Sequence, residues 1–198
     1  MVFHNKYILA SSSKSRYNIL KKIGFEFDQT SPLCDEEEIK KKIVKENKPK
    51  EIAMILSYEK AKSISLTKRY SKHHIIGCDT IIYLGNKIFD KAKNLKDAKK
   101  KIHYLSGKEH KIVSGLTICK GGKKIWACSV TTKVRIKKLN ALEIDKYLKE
   151  TGRQILNSVG CYQIESLGPK IIEDIKGDFF NVMGFPLFKF LNYVEKNK

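Results

Sequence analysis

Apolar residues in the first third of the chain recur with two different spacings. Residues 7–11 and 25–30 predict strands, because their apolar positions run together or alternate with polar ones. Between them, Tyr17, Leu20 and Ile23 recur at helical spacing and predict a helix that turns these side chains inward. The chain therefore opens with a strand, a helix and a second strand.

A charged stretch and a second helix follow. The acidic residues 35–38 open a run whose composition is typical of a solvated helix start. Pro49 suits the first turn of the next helix, where a missing N–H loses no hydrogen bond. Ile52, Ile55 and Leu56 recur on one face of that helix and predict its buried side.

The middle of the chain predicts strands and one helix. Residues 74–84 form an apolar run, interpreted as a buried strand interrupted at residues 77–80, with a partner strand that ends at Lys91. Apolar residues at 3-4-3 spacing predict a helix over residues 95–105. Two glycines then join the arms of an extended hairpin, residues 110–119 and 125–136.

The last third predicts two helices with a strand between them. Asn140 and Glu143 form a capping box that opens one helix, and Pro186 opens the other. A strand over residues 170–175 and a loop over residues 177–184 separate them. Because strands and helices mix without strict alternation, we expect an α/β fold built on a mixed sheet.

Length and cysteine usage fit one intracellular domain. A chain of 198 residues buries enough surface to fold without disulfides or zinc, so we expect a single domain over residues 1–198. Its five cysteines are scattered and never spaced as CxxC, which favours a reducing compartment. The apolar run after the polar residues 1–6 is too short for a signal peptide, and no window could span a membrane. We therefore expect a cytoplasmic protein with no membrane partner.

The formal net charge of +19 raises nucleic-acid binding as an alternative function. Nearly all of this charge is lysine, however, and the arginines are only Arg16, Arg69, Arg135 and Arg153. Nucleic-acid sites favour arginine for its planar fork and its stacking, so we expect no specific nucleic-acid partner. The same positive field would steer an anionic substrate such as a nucleotide.

One acidic residue is a candidate for chemistry. Asp79 lies between apolar pairs at residues 75–76 and 81–82, where an aspartate is costly to bury without compensation. It is therefore a candidate catalytic acid at a strand end, or alternatively a turn residue that caps Gly77.

Two serines and an arginine lie where the first strand turns into a helix. A helix start presents backbone N–H groups to an anion, and Ser11, Ser13 and Arg16 would complete a phosphate cradle there. Helix capping is the alternative, since serine is a common N-cap residue. Lys60 and Lys91 resemble surface lysines in their local sequence.

Four segments resemble the signatures of one family. Residues 8–16 read ILASSSKSR, and residues 76–80 read IGCDT. Residues 105–110 read LSGKEH, and residues 177–187 read GDFFNVMGFPL. They are similar to the LASxSPRR, IGADT, LSGRxH and GDYxNVxGLP blocks of the Maf proteins, a family of nucleoside triphosphate pyrophosphatases. The resemblance spans nearly the whole chain, and Gly115 fits the glycine of the strand after the third block.

The resemblance implies a fold and a reaction. Maf proteins have an elongated mixed sheet with flanking helices, in two lobes around a nucleotide cleft. They hydrolyse the bond between the α and β phosphates with a divalent metal. The resemblance implies that Asp79 is the catalytic acid. It also implies that Glu36 and Asp79 bind the divalent metal, Mg²⁺ or Mn²⁺. The residues that the resemblance implies bind the substrate are Ser11, Ser13, Arg16, Lys60, Thr80, Lys91 and Glu165.

This chain departs from the family pattern in ways that affect substrate choice. Ser15 replaces one of two paired arginines, and DKA replaces Gly-Lys-Pro around Lys91. Residues 157–165 read NSVGCYQIE, where the family has DKAGxYxIQ. Glu165 suits the two donors of the guanine edge, whereas Thr80 is typical of the dTTP/UTP branch. We give more weight to Glu165 and expect guanine-type or 7-methylguanine triphosphates to be narrowly favoured over dTTP and UTP.

These features predict a nucleoside triphosphate pyrophosphohydrolase that acts on a modified or non-standard nucleotide. Two alternatives stay open: a basic nucleic-acid-binding protein, and an inactive Maf fold kept as an interaction module. Joint retention of Asp79, Glu36, Lys60 and Lys91 disfavours the second. The sequence does not set the oligomeric state and leaves a homodimer open.

Overall fold

The computed structural model describes residues 6–197, so residues 1–5 of the segment considered for a signal peptide lie outside it. The strands, numbered in chain order, are β1 (Tyr7–Ala10), β2 (Asp28–Thr30), β3 (His74–Leu84), β4 (Lys87–Phe89), β5 (Glu109–Lys120), β6 (Lys123–Ile136) and β7 (Ile172–Lys176). The helices are α1 (Lys14–Lys22), α2 (Glu36–Ile43), α3 (Pro49–Ser65), α4 (Leu95–Leu105), α5 (Ala141–Thr151), α6 (Phe179–Val182) and α7 (Leu187–Lys196). None of the helices within residues 6–197 has the length and apolar character needed to cross a membrane.

The strands form a mixed sheet in the order β2-β1-β3-β5-β6-β7, with β4 paired to β3. β1 runs parallel to both β2 and β3, while β4 is antiparallel to β3 and β7 is antiparallel to β6. Parallel strands need crossover connections: α1 connects β1 to β2, and α2 and α3 connect β2 to β3 on the other side of β1. The predicted α/β class, a mixed sheet with helices, is confirmed.

The described chain divides into two compact units, each assembled from separate stretches. The first unit comprises the described residues up to Thr80, Val113–Val130, and the residues from Gly184 onward. The second unit comprises Ile81–Ile112 and Thr131–Met183. The expectation of one domain over residues 1–198 stays a prediction.

Each unit has its own buried apolar cluster. In the first, residues of β1 and β3 pack against the inner face of α3, in a cluster of Ile8, Ala10, Ala61, Ile64, Ile75 and Cys119. In the second, α4 and α5 contribute Ile102, Leu105, Ile144 and Leu148 to a larger cluster that also contains Tyr162. Burial of these side chains supplies the main driving force for both units.

Two glycines let α3 lie directly against the sheet. A Cβ on Gly77 of β3 would overlap the Ser57 carbonyl oxygen of α3, and one on Gly115 of β5 would overlap the carbonyl of Ala53. No side chain fits at either position, so the helix backbone packs onto the strand backbones. This close approach seats the middle of α3, including Lys60, over β3.

Several predicted details were wrong. β3 continues through residues 77–80, because Gly77 accommodates a helix rather than breaking the strand. α1 buries Arg16, Ile19 and Leu20, and Ile23 is 42% exposed because the helix ends at Lys22. The predicted loop over residues 177–184 also contains α6.

The ends of several strands were misplaced too. β2 is confined to Asp28–Thr30, and β4 ends at Phe89 rather than at Lys91. Residues 25–27 lie outside the strand pairing, and two of them make edge-to-face ring contacts instead: Phe25 with Tyr7, and Phe27 with Tyr17. The alternating pattern over residues 25–30 thus predicted strand pairing correctly only for Asp28–Thr30.

Candidate active site

Asp79, Lys60 and Glu36 form a connected charge cluster in the first unit. The Lys60 Nζ atom lies 2.6 Å from Asp79 Oδ1 and 2.7 Å from Glu36 Oε2. The Lys60 and Asp79 side chains are 6% and 12% exposed, whereas that of Glu36 is 45% exposed. A single buried ammonium group therefore joins two carboxylates, one of them open to solvent.

Local structure explains how these side chains meet. Gly77 and Asp79 are two residues apart on β3, so both face α3, where Gly77 leaves room for the helix and Asp79 meets Lys60. Asp35 caps α2 by accepting a hydrogen bond from the Glu38 N–H at 2.9 Å. That cap fixes Glu36 in the first helical turn.

Arg16 is buried and held at three points. Its Nε donates to the Gly184 carbonyl oxygen at 2.9 Å, and its Nη1 donates to Ser11 Oγ at 3.2 Å. Its Nη2 donates to Thr80 Oγ1 at 3.0 Å. Because these bonds fix the guanidinium plane, the group has little conformational freedom left to lose when it binds an anion.

The two serines act as backbone caps in the described chain. Ser13 is the N-cap of α1, its Oγ accepting from the Arg16 N–H at 3.4 Å. Ser11 Oγ accepts from the Ser13 N–H at 3.2 Å as well as from the Arg16 side chain. Capping was the alternative for these serines, and it is compatible with a cradle because it orders the N–H groups at the start of α1.

Thr80 links the Arg16 network to β5. Its Oγ1 lies 2.9 Å from Ser114 Oγ, in addition to accepting from Arg16. The Cys78 thiol donates to the same Gly184 carbonyl as Arg16, at 3.2 Å. Sequence reasoning missed Ser114, Cys78 and Gly184 as members of this network, although Gly184 lies inside one of the four family-like segments and Ser114 precedes Gly115.

Lys91 and Glu165 belong to the second unit. Lys91 lies in the exposed segment after β4, and Glu165 lies at an exposed position between the 3₁₀ helices Gly152–Asn157 and Gly168–Lys170. All other predicted site residues belong to the first unit. The structure thus joins the predicted acids to Lys60 by ion pairs, and it separately joins Arg16 to Ser11 and Thr80 by hydrogen bonds. The roles of these residues, like those of Lys91 and Glu165, stay predictions.

Other residues of the family-like segments build the core of the second unit. His110 is fully buried with its Nε2 at 2.5 Å from the Tyr162 hydroxyl, and burial lowers the pKa of His110 to about 4. Asn181 is also fully buried, and its Nδ2 donates to the Ile112 carbonyl at 3.2 Å and to Thr132 Oγ1 at 3.0 Å. These contacts all lie within the second unit. They show that His110 and Asn181 have structural contacts in its interior.

Two of the acids can contribute to a metal site. Within residues 6–197 no group of three or more His, Cys, Asp or Glu side chains is arranged to hold a metal ion. Glu36 and Asp79, however, already converge on one cation, the Lys60 ammonium. Mg²⁺ is commonly bound by one or two carboxylates, with water and substrate phosphates completing the shell. The pair therefore fits a divalent metal whose remaining ligands would be water and phosphate oxygens.

A model of the Maf-like protein family matches residues 6–197. The chain belongs to the Maf-like family. The resemblance drawn from four short segments is therefore confirmed across the described chain. Membership accounts for the order of those segments, one of which contributes Asp79 to the charge cluster.

Two Maf-like relatives cover almost all of the chain. The 7-methyl-GTP pyrophosphatase of Bartonella henselae is 38% identical over 184 residues, which are 93% of this chain and 91% of that protein. The nucleoside triphosphate pyrophosphatase of Caulobacter vibrioides is 34% identical over 188 residues, 94% of this chain and 93% of that protein. Both names agree with the enzyme class predicted from the sequence.

A solved nucleoside-triphosphatase, a dITP/XTP pyrophosphatase from Mycobacterium abscessus, is a much more distant match. Its TM-score is 0.36 at 13% identity, over 68% of this chain and 75% of that chain.

Proposed function

We propose that this Maf-like protein hydrolyses a nucleoside triphosphate to the monophosphate and pyrophosphate, with residues 1–198 acting as one domain. The observation that carries the proposal is the placement of Asp79 and Thr80 at consecutive positions of β3. Asp79 contacts the Lys60 ammonium, and Thr80 contacts the Arg16 guanidinium. Because successive side chains of a strand point to opposite faces, we propose that a triphosphate reaches the carboxylates and the fixed cation from the two sides of this stretch of β3.

The mechanism assigns one task to each group. Arg16 and the N–H groups at the start of α1 bind phosphate oxygens, since they form a fixed positive surface. Asp79 takes a proton from the water that attacks the α phosphorus, and the bond from that phosphorus to the bridging oxygen of the β phosphate breaks. Lys60 offsets the negative charge that develops on the phosphate oxygens. A divalent metal held by Glu36 and Asp79 would polarise a phosphoryl oxygen.

The product identifies the bond that is cleaved. We expect purified protein with Mg²⁺ to release pyrophosphate and nucleoside monophosphate from a panel of common and modified triphosphates. Ion chromatography without added pyrophosphatase distinguishes this from γ-phosphate release, which gives orthophosphate and diphosphate. Orthophosphate as the direct product would contradict the proposal, and the same panel with and without Mg²⁺ or Mn²⁺ tests the metal.

Arg16→Ala is expected to lower kcat/KM by about 10²-fold, because it removes a fixed cation from the phosphate site. Arg69→Ala is the matched control, since Arg69 is an exposed arginine of the same unit that stacks on the Tyr70 ring. Lys91→Ala should also lower kcat/KM strongly, whereas exposed Lys100→Ala should change it little. Equal modest losses in all four variants would indicate diffuse steering by the net charge instead of a cradle.

Base preference is proposed to depend on Glu165. A carboxylate accepts the two adjacent donors of the guanine edge, and Thr80 is engaged with Arg16 and Ser114, which supports giving more weight to Glu165. We expect guanine-type or 7-methylguanine triphosphates to be hydrolysed with higher kcat/KM than dTTP and UTP. Glu165→Gln should shift the ratio of kcat/KM values toward the pyrimidines, and a wild-type preference for dTTP or UTP would refute this role.

We further propose a cytoplasmic role in removing non-standard nucleotides, with no specific nucleic-acid or membrane partner. All five cysteines are free thiols, which supports a reducing compartment. The homodimer stays a prediction, which sedimentation of the purified chain would test. Steeply salt-dependent binding of duplex or RNA would favour the nucleic-acid alternative.

A further inference from the structure

The Lys60 ammonium occupies the position that a metal ion would need. It contacts Asp79 Oδ1 at 2.6 Å and Glu36 Oε2 at 2.7 Å, the two carboxylates assigned to the metal. We propose that Lys60 is a resident counter-ion that keeps divalent metal off these carboxylates until a nucleotide binds. The inference rests on the proposed function, because it concerns the order in which metal and nucleotide reach the same site.

The two cations compete for the same oxygen atoms. Mg²⁺ binds carboxylate oxygens at about 2.0–2.1 Å, well inside the distance at which an ammonium group touches them. A metal ion on Asp79 Oδ1 and Glu36 Oε2 would therefore lie close to Lys60 Nζ, and the two positive charges would repel each other. Binding of the metal there favours displacement of the ammonium.

Burial favours the lysine in the free protein. The Lys60 side chain is 6% exposed, and its helix is seated against β3 by the close contact at Gly77. Displacing the ammonium without offering a new anion would leave a buried charge unpaired, which is strongly unfavourable. With Lys60 in place, the two carboxylates present a net charge of only about −1 to a metal that gives up its water reluctantly.

A nucleotide changes this balance. Its triphosphate offers Lys60 an alternative anion and brings oxygens that chelate the metal. Lys60 can then transfer its ammonium from the carboxylates to the phosphates, which frees Glu36 and Asp79 for the metal. The consequence is an ordered site in which the metal binds together with the nucleotide rather than before it.

Metal binding by the free protein tests this order. Mn²⁺ titration of nucleotide-free protein, followed by the electron paramagnetic resonance signal of unbound Mn²⁺, should show weak binding to the wild type. Lys60→Met should bind Mn²⁺ roughly tenfold more tightly or better, because a unit charge adjacent to the carboxylates is removed. Lys62→Met is the matched control, since Lys62 lies on the same helix with its ammonium 5.4 Å from the Tyr58 ring centroid, and it should behave as wild type.

Lys60→Gln is a second variant in case the methionine variant fails to fold, and thermal unfolding of each variant checks the fold. Tight Mn²⁺ binding to nucleotide-free wild type would overturn the inference whichever variants fold. Equal affinities in wild type and folded Lys60 variants would overturn it as well. Pyrophosphate release by the wild type separates the two claims: its absence refutes the proposed function, whereas its presence with tight metal binding to free protein refutes only the counter-ion role.

Discussion

Asp79→Asn is expected to remove most turnover while leaving the fold intact. The amide keeps the shape of the side chain and an oxygen that accepts from Lys60, but it loses the charge and the ability to take a proton. Loss of general-base catalysis lowers kcat by about 10²–10⁴-fold, and loss of a metal ligand could lower it further. Pyrophosphate release at saturating nucleotide and Mg²⁺ measures the effect.

The matched control is Asp145→Asn. Asp145 also forms an ion pair with a lysine, Lys99, but its side chain is 51% exposed. Exposed ion pairs contribute little, so this variant should keep wild-type turnover and stability. Activity of a folded Asp79→Asn protein within a few-fold of wild type would rule out the assigned role of Asp79.

Gly77→Ala is expected to lower the free energy of unfolding by roughly 3 kcal/mol or more, since the new methyl group meets the α3 backbone at Ser57 and Ala61. Backbone atoms cannot turn aside as a side chain can, so α3 must shift away from β3. That shift would also separate Lys60 from Asp79, and we expect residual folded protein to lose activity. Urea unfolding monitored by circular dichroism measures the change in stability.

Gly85→Ala gives the comparison for adding a methyl group to a glycine. Gly85 has φ of +58° in an open turn with no atom within 4 Å of the added Cβ. Its only penalty is the left-handed backbone, about 1 kcal/mol. If Gly77→Ala were no more destabilising than Gly85→Ala, the packing of α3 onto β3 would not be as close as described.

Sequence periodicity predicted α4 well because its apolar residues repeat over several helical turns, and Pro49 correctly marked the start of α3. Periodicity failed at positions where the same residue type is compatible with two different local structures. A glycine within an apolar run can mark a break or a close approach of another backbone, and Gly77 was taken for a break although β3 continues. Likewise, Ile23 matched the helical spacing of α1, but the helix ends one residue before it.

The acid of the site was predictable from its surroundings, whereas its partners were predictable only from the family resemblance. Asp79 stood out because a charge inside an apolar run demands compensation. Lys60 is 19 residues away in a lysine-rich chain, and nothing near it in sequence marks the lysine that supplies the compensation. Arg16 and Gly184 are 168 residues apart, so only the family resemblance could place both near one site.

The contact between Arg16 and Gly184 has a consequence for synthesis on the ribosome. The guanidinium gains its backbone acceptor only after residue 184 has been made, and the fully buried Phe185 and Phe190 follow still later. The second unit ends at Met183, so all of its residues are available before the first unit can close. Native contacts between distant residues also form slowly, because closing a long loop loses much chain entropy. A nascent chain would thus fix the Arg16 guanidinium late, and premature termination before residue 184 would leave a polypeptide in which Arg16 lacks this backbone acceptor.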